Sequence, residues 1–152
     1  MSEATQFGRA EPARPSRDRP AAFGVVEHEG LIAVVRVTYP ERAPFVDLPG
    51  GAIDPGETEA QALIREFGEE TGLIITAGRL FTRANQYFLT KDGEAVNNRA
   101  SFFEGEIVGL DQALKIEEDH ELVWLAPNEA VRRLRHDAHA WAVAAWLRRR
   151  NP

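Results

Sequence analysis

The chain has 152 residues, 43% of them hydrophobic and 28% charged, and a net charge of -6 at pH 7. That length predicts one domain burying roughly two thirds of its unfolded surface, and no apolar run approaches the roughly 18 residues of a membrane span. The negative balance argues against an extended nucleic-acid face, whose affinity comes from clustered Lys and Arg, and the absence of cysteine excludes disulfides and thiolate metal sites.

Met1 to Pro20 scatters Arg9, Arg14, Arg17 and Arg19 among Glu11, Asp18, Pro12, Pro15 and Pro20 without apolar periodicity. Such a segment is expected to be a disordered tail over 1–20, leaving a domain over 21–152. It also lacks the apolar core of a secretory signal, so a cytoplasmic location is expected. Ala22 to Glu27 and Leu31 to Thr38 are β-rich and predict two buried strands joined by a hairpin at His28-Glu29-Gly30. Arg36 interrupts the second, and a charge among Val and Ala marks an edge or a site. Pro40 and Pro44 then punctuate a loop. In Leu48-Pro49-Gly50-Gly51 the paired glycines allow the backbone to approach a ligand closely.

Thr58 with Gln61 forms a capping box, and Glu59 suits the first turn of a helix that begins there. Gly72 can adopt the left-handed conformation that closes the helix after Thr71, with Leu73 as its apolar contact. Ala60, Leu63, Ile64 and Phe67 recur at helical spacing and predict the core face. Glu66, Glu69 and Glu70 share another face, where like charges repel by roughly 0.2–0.5 kcal/mol per pair and only Arg65 compensates. Converging carboxylates suit a hard divalent cation, which takes oxygen ligands alongside substrate phosphates. A solvated acidic face is the alternative reading of the helix taken alone.

Over Gly51 to Leu73 the sequence resembles the signature of the Nudix hydrolases: Gly, five residues, Glu, seven residues, Arg-Glu, an apolar residue, any residue, Glu-Glu, any residue, Gly, apolar. Gly51, Glu57, Arg65, Glu66, Phe67, Glu69, Glu70, Gly72 and Leu73 fill every specified place. The resemblance implies an α/β fold, an α/β/α sandwich with a mixed β-sheet. It implies a hydrolase that uses Mg2+ or Mn2+ to cleave a diphosphate linkage in a nucleoside diphosphate derivative. Glu66, Glu69 and Glu70, completed by the Gly50 carbonyl, would hold the metal. Glu66 or a loop glutamate would be the general base, and Arg65 would orient this face by pairing with Glu57. Gly51, Glu57 and Gly72 would support the motif.

Beyond the helix, Leu73 to Thr82, Asn85 to Thr90 and Arg99 to Val108 read as strands, with a turn at Lys91-Asp92-Gly93-Glu94. Arg83, Asn85, Tyr87, Arg99 and Phe103 bring hydrogen-bonding groups and rings to one region that could hold a base or sugar, although core packing explains the rings as well. By resemblance Arg36 is a candidate contact to substrate phosphate, and Arg83, Tyr87 and Arg99 join it as candidate substrate residues. The acidic stretch Glu117, Glu118, Asp119 and Glu121 precedes a strand at Glu121 to Leu125. Family resemblance points there for a further metal ligand or base, Glu121 first and Glu118 next.

Pro127 suits the first turn of a helix. A last helix is expected from Ala138, with Trp141, Ala144, Ala145 and Leu147 buried and Arg148 to Arg150 at its C-terminal dipole. His136 and His139 read as a capping or surface pair, lacking a third ligand nearby. The resembled family takes small nucleotide-type substrates, and an RNA 5′ end is the one nucleic-acid partner it leaves open. Homodimers are common in it, and nothing in the sequence fixes an interface. A catalytically silent nucleotide-sensing module on the same fold is the alternative function; the intact carboxylates speak against it. An isomerase relative would need a cysteine, and there is none. Markers of the ADP-ribose, dinucleoside polyphosphate and NADH subgroups are missing or misplaced, so the nucleotide stays open.

Overall fold

The computed structural model describes residues 3–150. In chain order the elements are β1 (Thr5–Phe7), β2 (Arg17–His28), β3 (Leu31–Val37), β4 (Phe45–Asp47), β5 (Gly50–Ala52), α1 (Glu59–Thr71), β6 (Leu73–Leu89), β7 (Ala95–Leu110), a 3-10 turn at Gln112–Leu114, β8 (His120–Leu125), α2 (Pro127–Arg133) and α3 (Asp137–Arg150). The strands run in the order β1-β6-β7-β2-β3-β4, with β5 added to β2 and β8 to β3. β2 is parallel to β7 and β1 to β6, whereas the other pairs are antiparallel, so the sheet is mixed.

Ala21 to Val26 of β2 are all buried, the pattern of a strand covered on both faces. One face packs Ala22 and Val26 with Leu63 and Phe67 of α1. The other packs Ala21, Phe23 and Val25 with Ala138, Ala142, Val143 and Trp146 of α3. Helices on both sides of the sheet complete the α/β/α sandwich expected from the motif. Gly24 keeps α1 close, since a Cβ there would stand 3.0 Å from the Phe67 ring. Glu29 and Gly30, with φ of 51° and 82°, close the β2–β3 hairpin through a turn with two positive φ values.

Several sequence expectations need correction. The segment expected to be a disordered tail forms β1 and the start of β2. Gln6 and Asn97 exchange amide hydrogen bonds at 2.9 and 3.1 Å, Phe7 packs 5.9 Å from Trp141, and Arg17 pairs with Glu94. These partners lie more than 70 residues along the chain, so local composition could not reveal them. Met1 and Ser2 of that tail, and Asn151 and Pro152, lie outside the described residues. The two strands expected over 73–90 are one bulged strand, β6. In α1 the buried stripe passes through Leu63, Phe67, Glu70 and Thr71, and Ile64 is exposed. In α3 it passes through Ala138, His139, Ala142, Val143 and Trp146, leaving Trp141, Ala144, Ala145 and Leu147 partly covered. None of the described helices is long and apolar enough to cross a membrane.

Candidate active site

α1 starts at the capping box of Thr58 and Gln61 and stops at Gly72, whose φ is 79°. Between these caps the helix aims its acidic residues at the β5 edge and at the loop before β8. Arg65 holds the near side together. Its Nε donates to Glu57 Oε2 at 2.7 Å and its Nη2 to Glu57 Oε1 at 2.9 Å, while Nη1 reaches Glu66 Oε1 at 3.0 Å and Glu69 Oε2 at 3.2 Å. Nη2 also donates to the Ala52 carbonyl. The Arg65 hydrogen bonds hold Glu57 down to about 2.

Glu66 and Glu70 occupy drier surroundings. Burial pushes the Glu66 carboxyl up to about 7 despite Arg65. The Glu66 carboxyl lies against the α-carbon of Gly51, where a Cβ would meet its Cδ at 2.9 Å. Glu70 is 6% exposed, and burial, reinforced by Glu66, raises its pKa well above the ordinary carboxylate range. It accepts the Gly50 N–H at 3.0 Å.

The loop before β8 is fastened to the end of α1. Asp111 N–H donates to Gly72 O at 2.8 Å, and both Ile116 and Glu117 N–H donate to Glu69 O at 3.0 Å. This brings Glu117, Asp119 and His120 together, with one potential ligand atom from each within 4.8 Å of the others. His120 Nδ1 lies 2.8 Å from Asp119 Oδ1, and Nε2 lies 3.5 Å from Glu70 Oε2. Lys115 Nζ donates to Glu117 O at 2.7 Å and steadies the loop.

Gly50, Glu70, Glu117, Asp119 and His120 line a cleft of about 410 Å³. The lining also includes the cations Arg19, Lys91 and Arg135, the ring of Phe88, the histidines His136 and His139, and the acids Asp47, Asp92 and Glu94. Asp47 grips Arg135 at 2.7 and 3.2 Å, with burial pulling its pKa upward against that pairing. His139 Nδ1 accepts the Leu48 N–H at 3.1 Å, which places its proton on Nε2. His136 Nε2 is buried without a hydrogen-bond partner among the described residues. Burial drives His136 down to about 3 and His139 well below its ordinary value. The expected surface pair is thus a buried, neutral pair behind the cleft.

The structure brings Gly50, Gly51, Glu57, Arg65, Glu66, Glu69, Glu70 and Gly72 into one neighbourhood. Of these, Gly50, Gly51 and Glu70 line the cleft, and the other sequence candidates lie away from this neighbourhood. Arg36 and Glu121 are cross-strand neighbours on β3 and β8, both exposed, and Arg36 sits beside Phe45, Val46 and Arg133. Successive side chains in β8 alternate faces, so His120 turns to Glu70 and Glu121 turns away. Glu118 is exposed. Arg83 pairs with Glu59 at 3.6 Å, Arg99 with Asp18 at 3.4 Å, and Tyr87 borders Arg9, Glu11 and Ser16. Sequence reasoning missed Arg19, His120 and Arg135, and misjudged the two histidines. Strand register and packing place them, and no local motif marks any of them.

A family model for the NUDIX domain matches residues 17–147. The chain belongs to the Nudix hydrolase family. Among curated proteins it is similar to the CTP pyrophosphohydrolase of Escherichia coli (strain K12), 27% identical over 108 residues that make up 70% of this chain and 75% of that protein. It is also similar to the 8-oxo-dGTP diphosphatase of Haemophilus influenzae, 36% identical over 72 residues, 46% of this chain and 53% of that protein. A solved NUDIX hydrolase from Nitrosomonas europaea superposes with a TM-score of 0.71 at 20% identity, covering 86% of this chain and 88% of that one. At that identity the likeness shows the fold alone.

The residues of this Nudix site fit a divalent cation. Glu70 is a buried acid close to the partly buried Glu66, and its hydrogen-bonding donor, the Gly50 N–H, carries no charge. Glu66 already meets Arg65, whereas an ionised Glu70 burdens the folded chain unless a cation joins it. The facing Glu117 and Asp119 add oxygen donors of the kind Mg2+ and Mn2+ take.

Proposed function

We propose that this Nudix hydrolase cleaves a diphosphate linkage in a nucleoside diphosphate derivative, with nucleoside triphosphates the first substrates to test. The observation that carries this reading is the buried Glu70, with the partly buried Glu66 close by, on the same cleft as Glu117, Asp119 and His120 and the cations Arg19, Lys91 and Arg135. Glu66 and Glu70 would hold Mg2+ or Mn2+, with Glu69 steadied by Arg65 beside them and the Gly50 carbonyl at hand. When bound, the ion would neutralise phosphate oxygens and acidify a water. Glu117, held in place through its own N–H to Glu69 O, takes the proton of that water. The water oxygen bonds to phosphorus, the bridging P–O bond breaks, and the departing phosphate leaves with the bridging oxygen.

Similarity to a CTP pyrophosphohydrolase supports a mononucleotide substrate. The cavity volume agrees, since about 410 Å³ lies near the lower end of the roughly 300–1,000 Å³ typical of ligand pockets. The test is a panel of nucleoside triphosphates, nucleotide sugars and dinucleotides with Mg2+ or Mn2+, reading phosphate against pyrophosphate release. Release of pyrophosphate or a nucleoside monophosphate from a panel member is expected, with loss in Glu117→Gln. Full turnover by Glu117→Gln would remove it as the base, and no turnover of any member would sink the reading.

A further inference from the structure

Three cations line the cleft, and two of them have carboxylate partners: Arg135 with Asp47 at 2.7 Å and Lys91 with Asp119 at 4.0 Å. Arg19 has no carboxylate partner among the described residues. Its Nε donates to Asn98 Oδ1 at 2.8 Å, a neutral acceptor that fixes the guanidinium plane without cancelling its charge. The arrangement is built by strand register, because Arg19 of β2 and Asn98 of β7 are directly paired. The Arg19 Cζ stands 5.5 Å from the Phe88 ring centroid, and the charges of Glu94 and, less strongly, Glu66 reach the group without forming an ion pair with it among the described residues. Burial works against its protonated form, with Arg17 adding to the effect.

A half-buried guanidinium without an acid contributes little to folding and costs desolvation. With Nε engaged, both Nη groups remain available, and that edge matches two oxygens of one phosphate. We propose that Arg19 is a substrate-binding residue that grips a phosphate of the nucleotide, with Asn98 as its positioning residue. Arg19, Asn98 and Phe88 line the same cleft as Glu70, Glu117 and Asp119. The proposal deepens the nucleotide reading above and rests on it.

The test titrates wild type, Arg19→Gln and Arg19→Lys with imido-bridged, non-hydrolysable triphosphates of adenosine, guanosine, cytidine and uridine in Mg2+, by calorimetry. Turnover is measured alongside on whichever nucleotide the wild type accepts. Arg19→Gln is expected to weaken analogue binding and raise KM about ten- to a hundredfold, with kcat changed no more than about threefold. Arg19→Lys recovers part of the loss, and Asn98→Ala loses part of the binding. Mn2+ binding without nucleotide, followed by electron paramagnetic resonance, stays at the wild-type level in each variant. Wild-type affinity in Arg19→Gln overturns the proposal, as does a wild type that binds none of the four analogues. A wild type that binds an analogue yet hydrolyses no nucleotide defeats the hydrolase reading alone, and the titrations still decide Arg19. Should Arg19→Gln fail to fold, Arg19→Lys carries the comparison, because it keeps charge and strand while losing the fork.

Discussion

The backbone N–H of Gly50 donates to Glu70 Oε1 at 3.0 Å, tying β5 to the last turn of α1. Gly50 has a φ of 141°, and a Cβ on it would stand 2.2 Å from the Ala22 carbonyl oxygen. Gly50→Ala is therefore expected to cost at least the roughly 1–3 kcal/mol of a forced backbone conformation. Gly56→Ala is the control, since Gly56 also has positive φ but faces open space. Chemical denaturation of both variants checks this, and equal losses at the two sites would count against a special role for Gly50.

Glu70→Gln separates stability from metal binding. In the metal-free protein the buried carboxyl is a burden, so the amide, which can still accept from Gly50, should leave the melting temperature unchanged or raise it. The upward shift on adding Mg2+ or Mn2+ should shrink and turnover should vanish. Calorimetric scans with and without metal read both effects. A variant that keeps the full metal-dependent shift would show that the ion does not depend on Glu70.

Arg65 joins Glu57, Glu66 and Glu69 around one guanidinium. Arg65→Ala leaves these three acids and Asp54, 3.4 Å from Nη2, without their shared cation, and partial exposure moderates the penalty to roughly 2–3 kcal/mol. Glu57→Gln removes one arm only and should cost less. Unfolding free energies of the two variants in urea test that order, and the reverse order would contradict Arg65 as the hub.

The buried histidines set an acid limit. Unfolded, each imidazole titrates near 6.5, whereas His136 in the fold titrates near 3. Below pH 6.5 the unfolded chain takes up a proton that the folded site refuses. The contribution is thus complete above about pH 6.5 and is lost progressively as pH falls toward 3. By pH 4.5 the loss is roughly 2–3 kcal/mol for His136. Glu66 and Glu70 act oppositely, since their raised values make the folded state retain protons that the unfolded state releases, over about pH 4.5 to 7 for Glu66 and in the same direction for Glu70. The difference between wild type and His136→Leu isolates the histidine. That difference should move in favour of the variant as pH drops from 7 to 4.5, and a pH-independent difference would contradict the burial.

The sequence by itself determined α1, its caps, the glycines at its entry and exit, and the Arg65 hub. These depend on contacts within a few turns of chain, where spacing and residue type translate directly into geometry. It also put Glu66, Glu69 and Glu70 on one acidic face of that helix. Which carboxylates and cations complete the cleft was decided only by tertiary structure. Glu117 arrives because its loop hangs from Glu69 O, and Glu121 is excluded because alternation in β8 turns it to the other face. Arg19 enters through its register with Asn98, and the two histidines become buried because α3 packs on β2. Strand register and helix packing act across the whole chain, and a one-residue slip would reverse each of these assignments.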